Sequence, residues 1–302
     1  MDALILTPDS APLTRDIADY PEGIIIPIDK PYRWTSADVI RKVKYAAIRH
    51  FGKKNLKVGH AGTLDPLATG VLLVCIGKAT KLAEELQSHD KEYVAGVTFG
   101  ATTPSYDLEK EIDRFFPYEH ISAESVENAL PAFLGDQDQI APLFSAKSVD
   151  GVRAYELARK LYKASTEQSS ELDTAAEQLL RVSRINISEL ELLQFHGGTC
   201  GLQNNPSHYV GPSPCGQGGS TVLQTANTTA SSRINVTDNS ALGLPRAEIR
   251  MACSKGTYVR AFARDLGEAL GSGAHLDSLQ RSRSGIFRVE NALSVEVALS
   301  KL

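Results

Sequence analysis

Residues 57–81 read KVGHAGTLDPLATGVLLVCIGKATK, and this stretch decides how the chain folds. Its second half contains a continuous apolar run, residues 71–76, with a glycine on either side. Such a run is typical of a strand that is buried on both faces. The glycines ahead of it allow a sharp turn or a close approach to a large ligand. Asp65 lies in the loop before this rigid strand, where proteins often place catalytic groups.

A basic segment leads into the Asp65 loop, although the chain of 302 residues carries a formal net charge of −4. From Lys30 to Lys57 there are nine Lys or Arg residues and one acidic residue, Asp38. A run of charges is usually the solvated face of a helix. Because this run ends at the Asp65 loop, it favours a polyanionic partner such as a nucleic acid.

The overall composition predicts an ordinary protein of the cell interior. Hydrophobic residues make up 42% of the chain and charged residues 23%, which suits one large domain or two smaller ones. The four cysteines show no CxxC spacing, and the N-terminus lacks the basic segment of a secretory signal. We therefore expect reduced thiols, no metal site, no membrane association and a cytoplasmic location.

The hydrophobic patterns of helices and strands are mixed along the chain without strict alternation. This mixture predicts an α+β domain around a mixed sheet. Strands are predicted over residues 23–28, 71–76, 92–99, 185–195 and 247–253, with a last one inside 276–290. Helices are predicted over 37–49, capped by Ser36, and over 78–87, 122–134, 154–161 and 258–270. Residues 1–22 are expected to form a loosely held lead-in.

Composition changes abruptly over residues 197–243. Gly, Ser, Thr, Asn and Gln dominate this segment, which contains no Lys and a single Arg, Arg233. It cannot bury enough apolar area to offset the entropy lost on ordering. We predict a low-complexity surface insertion here, and the sequence suggests no function for it.

Two motifs resemble those of a known family. GHAGTLDPLATG, residues 59–70, closely resembles the catalytic motif of the TruB-type pseudouridine synthases, and CSKGTYVRAFARDLGEAL, residues 253–270, resembles their second signature. The resemblance extends over roughly residues 23–163 and 246–288. It implies the pseudouridine synthase fold, with a largely antiparallel central sheet flanked by helices. It also implies an isomerase that converts uridine to pseudouridine in the T-arm loop of tRNA, at tRNA position 55, by flipping the base out.

The chemistry of that reaction explains why one carboxylate suffices. The N1–C1′ bond breaks, the uracil turns and rejoins the sugar through C5, and C5 then loses its proton. No electrons are transferred, so no cofactor is expected. Positive charge builds at C1′, where a carboxylate stabilises it or attacks the carbon. Asp65 is the candidate, although such an Asp alone could equally cap its own turn. Attack at C1′ and an elimination route both stay open.

The resemblance assigns the immediate surroundings of Asp65 to three further residues. Arg260 would pair with the carboxylate and keep it ionised. Tyr93 would stack on the flipped-out uracil, with the C5 proton as a further assignment, and Tyr258 would pack beside it. Without the resemblance, Arg260 would be interpreted as a surface helix arginine and both tyrosines as half-buried structural residues.

Three more residues receive roles that are further from the chemistry. His60 would stack in the bound RNA loop in place of a displaced base, and Leu279 would lie in the active site. Lys30, with Pro31, would shape the floor of the pocket. Taken alone, His60 would be a solvated loop histidine and Leu279 a core residue.

The resemblance also predicts how the rest of the tRNA is held. Residues 141–163 correspond to a thumb-like insertion that closes over the tRNA arm. Its phosphate contacts would be Lys147, Arg153, Arg159, Lys160 and Lys163. Few residues follow Arg288, so we expect no C-terminal PUA-like domain, no guide RNA and a monomer. The chain departs from the family pattern at Tyr32 and Arg33, where a Gly-led pair is usual, and at Pro104.

Two other functions share parts of this pattern. A non-catalytic RNA-folding module would keep the basic surface without using Asp65. A hydrolase acting at a nucleoside C1′ would need a second, water-activating carboxylate, for which no motif is evident. The joint presence of Asp65, Tyr93, Tyr258 and Arg260 favours the isomerase.

Overall fold

The computed structural model describes residues 3–142, 148–149, 152–153, 182–198 and 234–302. The strands within these ranges are Leu4–Ile5 (β1), Ile24–Lys30 (β2), Val58–Ala61 (β3), Ala68–Ile76 (β4), Lys91–Phe99 (β5), Ala101–Thr102 (β6), Arg114–Phe115 (β7), Gly135–Ile140 (β8), Ser148–Val149 (β9), Val152–Arg153 (β10), Val182–His196 (β11), Arg246–Cys253 (β12), Ala274–Ser284 (β13) and Phe287–Arg288 (β14). The α-helices are Ser36–Phe51 (α1), Ala83–Ser88 (α2), Ala123–Ala129 (α3), Val259–Ala269 (α4) and Val295–Ser300 (α5).

Ten of these strands form one mixed sheet. Eight follow the order β1–β2–β4–β13–β5–β12–β11–β8, while β3 pairs with β4 and β14 with β13. The pairs β1–β2 and β4–β13 are parallel, and the others are antiparallel. The predicted α+β class with a largely antiparallel central sheet is therefore confirmed. No helix in the described part of the chain is long and apolar enough to cross a lipid bilayer.

Strand β4 is buried on both faces, as its apolar run predicts. Leu72, Val74 and Ile76 belong to the larger hydrophobic core, whereas Val71, Leu73 and Cys75 belong to a second cluster. At the start of the strand, Gly70 has a φ of +96°, and a side chain there would overlap the backbone of Arg281 on β13. Glycine at this position therefore lets the two strands pair closely.

Helix α1 begins one residue earlier than predicted. Its N-cap is Thr35 rather than Ser36, because Thr35 and Asp38 form a reciprocal capping box. The Ser36 hydroxyl instead exchanges hydrogen bonds with the backbone of Leu64, accepting from its amide at 3.0 Å and donating to its carbonyl at 3.2 Å. The helix thus contacts the loop that carries Asp65.

The N-terminal lead-in is packed rather than loosely held. Strand β1 pairs in parallel with the start of β2, and Leu6 is fully buried in the main core. The amide of Leu13 donates to the carbonyl of Lys301 at 2.8 Å, which joins the lead-in to the C-terminus. The apolar residues at the start of the chain therefore serve as core residues.

The remaining elements include both predicted and unpredicted ones, and β3, β6, β7, β8 and α5 were not predicted. Helix α3 is capped by Ser122 as predicted, and a 3₁₀ turn at Leu130–Phe133 replaces its last turn at Pro131. The segment predicted as helix 78–87 is a 3₁₀ helix, Gly77–Leu82, followed by α2. The thumb-like insertion and the helix at 154–161 lie outside the described residues, apart from the short hairpin β9–β10.

One part of the predicted surface insertion, residues 197–243, packs against the domain. Its middle, residues 199–233, lies outside the described residues, but its end packs against the domain. Ile234 is buried, and the amide of Thr237 donates to the carbonyl of Leu108 at 2.9 Å. Part of the low-complexity segment is therefore in contact with the fold.

Candidate active site

Asp65 and Arg260 form an ion pair. Asp65 lies in the loop between β3 and β4, and Arg260 is the second residue of α4. Nε of Arg260 lies 2.9 Å from Oδ2 of Asp65. The arginine side chain is 5% exposed and the aspartate side chain 40%. The structure therefore presents a partly open carboxylate against a buried cation.

Asp107 is a second acidic partner of Arg260, which the sequence analysis did not identify. Its Oδ2 lies 3.6 Å from Nη1 of Arg260, and the same Nη1 donates to the carbonyl of Ser105 at 3.1 Å. Burial raises the pKa of the Asp107 carboxyl, and Arg260 opposes that rise. Burial alone would lower the pKa of Arg260, but Asp65 and Asp107 raise it overall. The guanidinium therefore stays charged and is shared between two carboxylates.

Lys30 lies beneath the Asp65 loop and is fully buried. Its Nζ donates to the carbonyls of Pro31 at 2.9 Å, Trp34 at 2.6 Å and Pro66 at 3.3 Å. Burial lowers the pKa of Lys30 to about 7, although Asp65 opposes this shift. Because Pro66 follows Asp65 directly, Lys30 supports the loop through these carbonyls. Lys30 is not among the described residues that line the pocket beside Asp65, so its assignment to the pocket floor stays a prediction.

Arg281, which the sequence analysis placed only in a basic segment, holds the other side of the same loop. It is 2% exposed. Its Nε donates to the carbonyl of Val71 at 2.8 Å, while Nη2 and Nη1 donate to the carbonyls of Gly62 at 3.3 Å and Thr63 at 3.4 Å. No local pattern distinguishes this arginine from its exposed neighbours, because its acceptors belong to a distant part of the chain.

A small pocket opens beside the ion pair. Asp65, Asp107 and Arg260 lie on one side of it, and its lining continues with Leu67, Ala68 and residues 276–279 of β13. Leu279 is thus in the pocket wall, opposite Ala68 in the parallel pair of β13 and β4. The predicted residues Asp65, Arg260 and Leu279 come together here.

Tyr93 lies on β5 in the main core, beside the pocket strand. Its cross-strand partner on β13 is Arg281, two residues along the strand from Leu279. The tyrosine is 9% exposed, and burial raises the pKa of its hydroxyl. The phenol is therefore protonated at neutral pH, which suits a stacking surface better than a proton acceptor.

Like Tyr93, the two remaining aromatic candidates are not among the described residues that line the pocket. Tyr258 is the N-cap residue of α4. The side chain of Gln139 accepts a hydrogen bond from the Tyr258 amide at 2.8 Å and donates one to the Tyr258 carbonyl at 3.2 Å. His60 lies half-buried on β3, and burial lowers the pKa of its imidazole. The histidine is therefore neutral at physiological pH.

A second cleft, of about 500 Å³, carries positive charge. It lies between the end of α1, the start of β3 and the turn at Thr80, and Lys44, Lys54 and Lys57 line it. All three lysines are exposed. We call this feature the lysine cleft. It belongs to the predicted basic segment, and β3 connects it to His60 and the Asp65 loop.

The chain is similar in sequence to a family of known proteins. A sequence profile for the TruB family pseudouridylate synthase (N terminal domain) matches residues 49–202. A protein of Phocaeicola vulgatus named tRNA pseudouridine synthase B is 45% identical over 278 residues, which cover 92% of each chain. A protein of the same name from Bacteroides thetaiotaomicron is 45% identical over 92% of this chain and 92% of its own length. Another from Flavobacterium johnsoniae is 38% identical over 92% of this chain and 95% of its own length.

Solved structures with the same fold include an H/ACA ribonucleoprotein bound to a substrate RNA containing 2′-deoxyuridine. It matches with a TM-score of 0.50 and 20% identity over 91% of this chain. A Cbf5–Nop10–Gar1 complex matches with a TM-score of 0.50 and 22% identity over 88% of this chain. The chain spans 51% and 50% of the lengths of those two matched chains. At these identities the likeness concerns the fold, which is that of the pseudouridine synthases, a class of isomerases. Together with the profile match and the sequence relatives, it shows that the chain belongs to the TruB family.

Proposed function

We propose that this protein isomerises uridine to pseudouridine in the T-arm loop of tRNA, at position 55, with Asp65 as the catalytic residue. The observation that carries the proposal is the contact of 2.9 Å between the partly open carboxylate of Asp65 and the buried guanidinium of Arg260. The substrate is inferred from relatives named tRNA pseudouridine synthase B, which match over most of their length.

Asp65 acts at C1′ of the target nucleotide. The glycosidic bond breaks with a build-up of positive charge on the sugar, and an ionised carboxylate beside that carbon lowers the barrier or forms a bond to it. Arg260 places a buried positive charge 2.9 Å from Oδ2 of Asp65 and so helps to position the carboxylate. Asp107 orients the guanidinium from its other side. The net reaction exchanges the N1–C1′ bond for a C5–C1′ bond, and the proton lost from C5 is balanced by one gained at N1.

The pocket beside Asp65 receives the flipped-out base. Residues 276–279, including Leu279, form one wall. We assign Tyr93, on the neighbouring strand β5, to stacking on the base and Tyr258 to packing beside it. A buried tyrosine stacks on a base whether or not its hydroxyl takes part in the chemistry. Because burial raises the pKa of Tyr93, we assign the tyrosine to stacking and assign it no role as a phenolate base.

The lysine cleft and His60 extend the site along the RNA. Lys44, Lys54 and Lys57 supply three positive charges to a concave surface. We assign them to phosphates of the tRNA arm, and His60 to the space that the flipped base leaves. Contacts of this type provide affinity without reading sequence. Lys30 takes no part in binding RNA, because it is buried beneath the loop.

Tritium release from tRNA labelled at uridine C5 tests the proposal directly. With purified protein and EDTA, we expect about one equivalent of tritium per tRNA, and none from tRNA whose uridine 55 is replaced by cytidine. Asp65→Asn should reduce the rate at least roughly a thousandfold while tRNA binding survives. Asp9→Asn, at an exposed position, is the matched control and should retain the full rate.

Each result has a distinct meaning. Binding of tRNA without tritium release would identify a non-catalytic RNA module. Near-normal release by Asp65→Asn would remove Asp65 from the mechanism, and release from the cytidine-55 tRNA would contradict the assigned position.

A further inference from the structure

Residues 234–239 connect two loops of the active site, and we name this segment the strap. At one end, the carbonyl of Ile234 accepts a hydrogen bond of 2.9 Å from Nη2 of Arg33. Further along, the amide of Thr237 donates to the carbonyl of Leu108 at 2.9 Å. Ile234 is 8% exposed, so the start of the strap is packed against the domain.

Both partners of the strap belong to loops that hold the ion pair of Arg260. The amide of Arg33 donates to the carbonyl of Pro66 at 3.0 Å, directly after Asp65. Leu108 directly follows Asp107, whose carboxylate faces the other side of the guanidinium. The strap therefore joins the Asp65 side of the site to the Asp107 side.

A third contact connects the strap to the pocket wall. Nδ2 of Asn239 lies 3.5 Å from Nε2 of His275. Nδ1 of the same histidine lies 2.9 Å from the carbonyl of Ala101. If Nδ1 donates to this carbonyl, Nε2 accepts from Asn239, which is the arrangement of a neutral imidazole. Residues 276–279, which line the pocket, follow His275 directly.

The conformation of Arg33 is the second observation. Its φ is +62°, in the left-handed region that favours glycine. It occupies the third position of a turn closed by the Trp34 amide and the Pro31 carbonyl at 3.3 Å. A glycine would adopt this turn with less strain, but it could not donate to Ile234. The side chain therefore compensates for the strained backbone by holding the strap.

We propose that Arg33 is a positioning residue of the active site, which anchors the strap and thereby sets the spacing of the Asp65 and Asp107 loops around Arg260. Arg33, at a position where the family usually has a Gly-led pair, thus joins residues 234–239 to both loops of the site. The effect on rate rests on the proposed function, whereas the anchoring contact is a property of the free protein. Arg33 is not among the described residues that line the pocket, so it acts through its neighbours.

Hydrogen exchange in the full-length protein without RNA tests the anchor. Arg33→Gly removes the guanidinium and relieves the positive φ, so the melting temperature should not fall. The amide of Thr237 should exchange at least tenfold faster, while amides of β4 keep their wild-type rates. Asn235→Ala changes an exposed side chain of the strap and should leave the exchange of Thr237 unchanged. Unchanged exchange of Thr237 in Arg33→Gly would overturn the proposal.

Single-turnover kinetics test the positioning role. At saturating tRNA, pseudouridine formation by Arg33→Gly should slow about tenfold, because the two acidic loops are no longer held in register. The dissociation constant for tRNA should change less than about twofold, since Arg33 acts through its neighbours rather than through RNA. Thr237→Pro removes the amide donor at the other end of the strap and should give the same loss of rate with Arg33 intact.

The outcomes separate the two proposals. A wild-type rate in both variants, together with faster exchange of Thr237, would overturn the positioning role. A large rise in the dissociation constant at an unchanged rate would also overturn it and make Arg33 an RNA contact. Failure of the wild-type protein to form pseudouridine would refute the proposed function instead, and the exchange result would still decide whether Arg33 anchors the strap.

Discussion

Nε of Arg260 and Oδ2 of Asp65 lie 2.9 Å apart, so the start of helix α4 is held against the loop between β3 and β4. The guanidinium is buried and could not be kept there without an acidic partner, because an unpaired buried charge carries a large desolvation penalty. Asp65 and Asp107 share this cation from two sides. The pair therefore contributes to the packing of the domain as well as to the orientation of the carboxylate.

Replacing Arg260 with lysine should impair the reaction severely. An ammonium keeps the charge but cannot contact Asp65, Asp107 and the Ser105 carbonyl with one planar group. We expect the single-turnover rate to fall at least roughly a hundredfold with the fold retained. Arg264→Lys on the same helix, where the arginine pairs with its neighbour Asp265, is the control and should stay within about threefold of the wild-type rate. A near-wild-type rate in Arg260→Lys would contradict the assigned role of the ion pair.

The lysine cleft should contribute to tRNA affinity and leave chemistry unchanged. Simultaneous Lys44→Gln, Lys54→Gln and Lys57→Gln substitutions should weaken binding and reduce the dependence of affinity on salt. The slope of log affinity against log salt concentration should change by about one for each lysine that contacts a phosphate. Lys78→Gln, where the lysine pairs with Glu22 at 3.0 Å, should leave this slope unaltered. An unchanged slope in the triple variant would place the RNA elsewhere.

Lys30 should make the free energy of unfolding depend on pH. Burial lowers its pKa from 10.5 to about 7 in the folded protein. Between these values the unfolded chain binds more protons at this site than the folded chain, so stability rises with pH, by at most about 1.4 kcal/mol per pH unit. Urea unfolding from pH 6 to 10 should show this rise for the wild type relative to Lys30→Met. Lys44→Met, at an exposed position, is the control, and its curve of unfolding free energy against pH should run parallel to that of the wild type. If the curve of Lys30→Met also runs parallel to the wild-type curve, the low pKa of Lys30 is contradicted.

Alanine in place of Gly96 on β5 should destabilise the protein by displacing the polar side chains that surround this position. A Cβ atom there would overlap Oδ1 of Asp277, Nη2 of Arg246 and the hydroxyl of Ser278. Arg246 and Asp277 form an ion pair, with Nε of Arg246 2.6 Å from Oδ2 of Asp277, and Nη2 of Arg246 donates to the Ser278 hydroxyl at 2.9 Å. Asp277 and Ser278 also line the pocket. We expect a loss of about 1–3 kcal/mol in the free energy of unfolding, measured with urea. Gly59→Ala on β3 has open space around the new atom and should change stability by less than about 0.5 kcal/mol; equal effects of the two substitutions would contradict this packing.

The local hydrophobic pattern predicted β4, β5 and α4, which carry or adjoin the site, but it did not predict β3. The apolar run of β4 requires burial on both faces wherever it is placed, and the alternation over residues 92–99 fixes which side of β5 enters the core. The Asp65 motif was recognisable because its glycines and its acid are close together in the sequence. The cap of α3 followed from capping chemistry in the same way. The predicted end of α1 at residue 49 was two residues short of Phe51, after which Gly52 adopts the left-handed conformation that ends the helix. At the start of α1, Thr35 and Ser36 could each serve as the N-cap. The hydroxyl of Ser36 instead bonds to the backbone of Leu64, and Thr35 caps the helix.

The tertiary structure alone decided the partners of the charged groups. Asp107 and Arg281 resemble ordinary polar residues in sequence, and they acquire a role because distant loops bring Arg260 and the carbonyls of Gly62 and Val71 to them. The contact of the strap with Arg33 could not be predicted from the sequence either. The composition of the strap predicts a solvated insertion, and Arg33 and Ile234 are far apart in the chain. The sequence by itself predicted strands β2, β4, β5, β11 and β12 and helices α1, α3 and α4, although not β1, β3 or β8, and it singled out Asp65 as the candidate acid. The sheet topology decided which cation, carbonyl and strap residue meet that acid, because Coulombic and hydrogen-bond partners depend on distance in space, whereas periodicity records only neighbours along the chain.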